Sequence, residues 1–102
     1  MKKLFTAATA NNTTKANVFV TTGDIDTIPL VAHCFGTFDT CTVELKASLN
    51  GVADGVVLDS FTAAEFVALP LYLPAGVSIW AELSSVGAST SVNLWIGGQG
   101  ND

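Results

Sequence analysis

The sequence predicts an all-β protein, an antiparallel β-sandwich of jelly-roll type with about seven or eight short strands. Three observations carry that prediction. Several short segments alternate apolar and polar residues with period two, the pattern of half-buried strands. Gly, Pro, Asn and Asp interrupt them at short intervals, as turns between strands require. No stretch holds a 3.6-residue period beyond two turns, so helices do not compete. Many short strands of this kind bury their apolar faces by packing sheet on sheet.

Taken in order, Leu4 to Ala10 reads as an edge strand or extended arm, and Asn11 to Thr14 as a polar turn. Residues 1–15 are therefore set apart from a sandwich domain spanning 16–97. Ala16 to Thr21 is a short strand, and Gly23-Asp24-Ile25-Asp26 a turn. Ile28 to Phe35 is an apolar strand with Pro29 near its start, where a missing N–H is tolerated. Gly36 to Asp39 is expected to reverse the chain. Thr40 to Leu49 then alternates, with Cys41, Val43, Leu45, Ala47 and Leu49 on one face. A turn runs from Asn50-Gly51 to Asp54-Gly55, and Val56 to Phe61 is a returning strand. Thr62 to Glu65 could begin a helical turn. Pro70 weakens a central strand between Glu65 and Leu73. Pro74-Ala75-Gly76 suits a type I turn. Residues 98–102 form a tail of Gly, Asn, Gln and Asp.

Two hairpins are expected from register. If partners sum to 175, Ile79 faces Ile96, Ala81 faces Leu94 and Leu83 faces Val92. The same register sets Trp80 opposite Trp95 on the other face. If partners sum to 75, Cys34 faces Cys41, Ala32 faces Val43 and Leu30 faces Leu45. The opposite face then carries Val31, His33 and Phe35 against Glu44, Thr42 and Thr40. Each pair of strands thus has a core face and a second face carrying aromatics. That second face is open to three readings: a subunit interface, a sugar-binding platform, or the inner face of another sheet.

Composition narrows the function. The chain has 102 residues, one domain by length. Charged residues make up 13%, against an ordinary share of about 25%, while 49% are hydrophobic. No stretch nears the roughly 20 apolar residues of a spanning helix. Burial against other chains is the inference. The net charge is −5, with Lys2, Lys3, Lys15 and Lys46 the only positive side chains. Nucleic acid and anionic membranes, which call for clustered Lys and Arg, are not expected partners. The start, Met1 to Phe5, has the charge of a signal peptide, but Thr6, Thr9, Asn11 and Asn12 break the apolar run. A chain made in a cytoplasm and not exported is expected.

No constellation of catalytic residues emerges, and no enzyme, metal site or cofactor is expected. His33 is the only histidine, and alternation turns it away from Cys34. One His and two Cys at this spacing match no zinc pattern. Cys34 and Cys41 could form a cross-strand disulfide, but buried free thiols suit a cytoplasmic product better. The aspartates sit mainly in turns, where they hydrogen-bond their own backbone.

The stretch Gly36-Thr37-Phe38-Asp39-Thr40-Cys41-Thr42-Val43-Glu44-Leu45-Lys46-Ala47-Ser48-Leu49-Asn50-Gly51 resembles an element of short all-β virion proteins of tailed phages. So do Leu73 to Ala81 and Gly87 to Leu94. The sequence departs from that pattern at Val56-Val57-Leu58, where a Trp often stands. The resemblance implies a head decoration (cement) protein bound to the outer capsid surface, made in the host cytoplasm, with the major capsid protein and itself as partners. A homotrimer is the expected oligomer. Trp80, Trp95, Val31, His33 and Phe35 are the candidate subunit interface. Lys2, Lys3, Leu4 and Phe5 form a candidate capsid-contact arm. The alternatives are a carbohydrate-binding module, with Trp80 and Trp95 stacking on sugars, and a tail or fibre accessory protein.

Overall fold

Eight strands form two four-stranded antiparallel sheets packed as a β-sandwich. The structure is a computed structural model that describes residues 2–11, 18–21, 30–69 and 76–97. In chain order the strands are β1 (Lys2–Ala8), β2 (Phe19–Val20), β3 (Leu30–Thr37), β4 (Thr42–Ser48), β5 (Val56–Phe61), β6 (Glu65–Leu69), β7 (Ser78–Ser84) and β8 (Ser91–Gly97). One sheet has the order β1-β8-β3-β6, the other β2-β7-β4-β5. Strands one and eight, two and seven, three and six, and four and five are therefore neighbours, the wrapping of a jelly roll. The turns expected at 12–14 and 23–26, the segment 70–75 and the tail 98–102 lie outside the described residues.

Alternation set the faces as expected, except that Leu49, expected on the core face, lies beyond the end of β4 and is 74% exposed. Leu30, Ala32, Cys34, Val92, Leu94 and Ile96 of the first sheet and Val43, Leu45, Ile79, Ala81 and Leu83 of the second are all buried in one core, with Phe19 and Phe61. The strand pairing differs from expectation. β7 pairs with β2 and β4, and β8 with β1 and β3, so the Val77–Ile96 segment is no hairpin. Ile96 lies opposite Ala32 and Lys2, and Ile79 opposite Ala47 and Phe19. β3 and β4 likewise belong to different sheets, so Cys34 and Cys41 are not register partners. The reason is coverage. A hairpin would align all six apolar side chains on one face and leave that face open. Crossing between layers about 10 Å apart sets the same faces against each other.

The two crossings interlock at one end of the sandwich. Asp39 Oδ2 accepts a bond from the Ser89 N–H at 3.1 Å, and Thr40 Oγ1 donates to Ser85 O at 2.7 Å. Thr90, buried, donates its hydroxyl to Phe38 O at 3.0 Å and accepts from the Gly87 N–H at 2.9 Å. Gly36, at φ 122°, lets β8 approach, because a Cβ there would lie 2.3 Å from Ser91 O. At the far end Thr21 clamps the start of β7 through its N–H to Val77 O (3.0 Å) and its hydroxyl, which accepts from the Val77 N–H at 3.0 Å.

Two further details refine the expectation. β6 spans Glu65–Leu69 and is an edge strand. Thr62 to Ala64 is a short link rather than a helical turn. Truncating Leu94 to Ala should lower unfolding stability by about 2–5 kcal/mol in urea titrations, because its side chain is fully enclosed between the sheets.

Candidate interaction surface

Each sheet has an outer face, and the two differ in chemistry. The outer face of the β2-β7-β4-β5 sheet is polar. Glu44 lies opposite Glu82, and Lys46 bridges to Glu82 Oε1 at 3.3 Å, offsetting the like-charge pair. Trp80 sits in this face but is 1% exposed. Its Nε1–H donates to Glu82 Oε2 at 3.0 Å. The β4–β5 turn folds over the indole so closely that a Cβ on Gly55 would fall 2.4 Å from the ring. That turn is self-contained: Asn50 N–H donates to Ser48 Oγ at 2.8 Å and Asn50 Nδ2 to Asp54 Oδ2 at 3.1 Å.

Trp80 is therefore removed from the expected interface; its own chain covers it. It also does not meet Trp95, since the two indoles lie in different sheets. The paired-indole platform that sugar stacking would use is not formed. Glu44 and Thr42 are likewise on the other sheet from Val31, His33 and Phe35, not opposite them.

The outer face of the β1-β8-β3-β6 sheet brings the other candidates together. Register aligns Lys3, Trp95, His33 and Phe66 in one row across all four strands. Contacts run along the row, with Phe35 linking Trp95 to His33. The Lys3 ammonium lies 4.6 Å from the Trp95 ring, a cation–π geometry. Phe35 meets Trp95 edge-on at 5.2 Å and stacks on His33 at 4.5 Å, and His33 meets Phe66 edge-on at 5.3 Å. Val31, Ala68 and Gly97 form the neighbouring small-residue row. Val31, His33, Phe35 and Trp95 are each half-buried. Trp95 Nε1 has no hydrogen-bond partner among the described residues.

The segment expected as a capsid-contact arm is a strand of this sheet. Leu4 and Phe5 are buried, and only Lys2 and Lys3 reach solvent. Both apolar residues can point inward because the register slips between Lys3 and Phe5, a bulge. A second slip follows before Ala8, where Ala7 takes φ 49° and its N–H donates to Asn93 Oδ1 at 3.0 Å.

The exposed large apolar residues were not expected. They are Leu49 (74%), Val52, Val56 (68%), Val57 and Phe66 (74%), all between 49 and 66. Leu49, Val52, Val56 and Val57 lie at and beside the β4–β5 turn, and Phe66 lies on β6, an edge strand of the other sheet. The available signal was the Val56-Val57-Leu58 run and Phe66 beside Glu65, where the apolar residue falls out of step with the core face.

Cys34 and Cys41 are free, buried thiols. Burial, then the proximity of Cys41 and Glu65, pushes the Cys34 thiol up to about 12. Burial also raises Cys41. No protein-family model matches the chain, and no curated protein or solved structure does either.

Two predictions follow from these environments. With the folded-state thiol raised, the unfolded chain loses its proton first as pH climbs past about 9. Stability should therefore be steady below that pH and fall between about 9 and 12, measured as urea midpoints; Cys34→Ala should flatten the decline. Gly55→Val should push the turn off the indole, costing about 1–3 kcal/mol. It should also shift Trp80 emission to longer wavelength in a Trp95→Phe background.

Proposed function

We propose that this chain is a structural virion protein, a decoration (cement) protein that stabilises a phage head by binding its outer surface as an oligomer. The observation that carries the reading is the exposure of Leu49, Val52, Val56, Val57 and Phe66 on a chain with very few charges. Surface of that kind is costly on a monomer and is covered in assemblies. A decoration protein needs no moving part. Each copy buries apolar area against a neighbour and the capsid, and many weak contacts add by avidity. Lys2 and Lys3 lie on the bulged β1 edge and would meet acidic capsid surface, with the major capsid protein as the proposed partner. The resemblance of Gly36–Gly51 and Gly87–Leu94 to short phage virion proteins supports the same reading.

Immunogold labelling of particles of the encoding virus should place the chain over the head surface. Label confined to tails or fibres, or absent from particles, would replace this reading.

A further inference from the structure

The four sheet edges are not equally guarded. An edge strand offers unpaired N–H and C=O groups, and proteins block it by brevity, bulges or charge. β2 is two residues long. β1 has two register slips and carries Lys2 and Lys3. β5 slips against β4 between Leu45 and Lys46 and carries Asp59. β6 has none of these protections. Its five residues pair with Leu30 to Cys34 in unbroken register, without Pro, Lys or bulge, and its single charge, Glu65, stands at one end.

We propose that β6 pairs with β6 of a second copy, antiparallel about a two-fold axis at Val67, joining two four-stranded sheets into one of eight strands. The inference rests on the assembly reading above and specifies its seam. Opposed residues in an antiparallel pair share a face, so a perpendicular two-fold axis must pass at a residue. At Val67, Phe66 lies opposite Ala68 of the second copy and Glu65 opposite Leu69, so all five residues pair. The two carboxylates fall at opposite ends of the seam. At Phe66 the axis would leave two residues unpaired and bring the carboxylates to diagonal positions, where like charges repel. The Val67 axis also matches large against small. Phe66, 74% exposed, extends over Ala68 and Val31 of the second copy, the small-residue row next to its own aromatic row. The contact is self-complementary, the requirement of an isologous interface. It closes at two chains, in place of the trimer that the resemblance implies.

The test is light scattering after size exclusion, with hydrogen exchange on the same samples. The intact chain should elute at twice its chain mass, and amides of Glu65 to Leu69 should gain protection as concentration rises. Phe66→Lys with Ala68→Lys, both at exposed positions, should keep the circular dichroism of the native fold. The monomer–dimer midpoint should rise at least about tenfold, and the concentration-dependent protection should vanish. Should the double variant misfold, Ala68→Lys alone and the exchange data on the intact chain decide. A dimer or trimer whose mass ignores the lysines, with no protection at β6, overturns the seam and leaves assembly standing. A monomer that still labels phage heads overturns the seam and leaves decoration standing. A dimer broken by the lysines, with no label on heads, supports the seam and overturns decoration alone.

Discussion

The structure depends on the mutual burial of two apolar sheet faces. Neither sheet can cover its own. Leu30, Ala32, Cys34, Val92, Leu94 and Ile96 need a lid, and Val43, Leu45, Phe61, Ile79, Ala81 and Leu83 supply it. At about 25 cal/mol per Å² of apolar area removed from water, that contact is the main favourable term in a chain with so few charges. The connectivity follows from it. Among the described strands, six of the seven successive pairs lie in different sheets, and only β4–β5 share one. The clasp of Asp39, Thr40, Ser85 and Thr90 satisfies polar groups where two of those passages meet.

What the sequence made legible was parity. Alternation tells which side chains share a face, and every core residue assigned that way to the two expected hairpins between Leu30–Leu45 and Ile79–Ile96 is buried. Alternation does not tell which strand lies alongside. A short apolar-flanked link serves a hairpin or a passage between layers equally well, and the choice is made by whether the faces end up covered. That is why Trp80 and Trp95, both correctly placed off the core, were wrongly set opposite each other. Trp80 adds a second lesson: its cover is a turn closing over it from Gly55, a contact with no periodic trace in the sequence. The aromatic row of Trp95, His33 and Phe35 was half visible, since three of its members were singled out, but Phe66 completes it from a strand whose position could not be read.

The scarcity of charge is spent unevenly. One outer face receives Glu44, Lys46 and Glu82, enough for a polar coat; among the described residues the other has Lys3, while Lys2 and Glu65 stand at strand ends opposite Ile96 and Cys34. The sandwich therefore has one side that carries most of its charged strand residues and one that carries the aromatic row.

The pairing of β1 with β8 carries a consequence for how the chain is born. β1 is made first and β8 last among the described strands, so Leu4 and Phe5 have no sheet partner until residue 97 has left the ribosome. Only the β4–β5 hairpin can form early and locally, and long-range pairing of this kind folds slowly. Until β8 is made, β1 must stay soluble with its apolar side chains uncovered. The neighbouring Lys2, Lys3, Thr6 and Thr9 are suited to that task before they have any role in the finished protein.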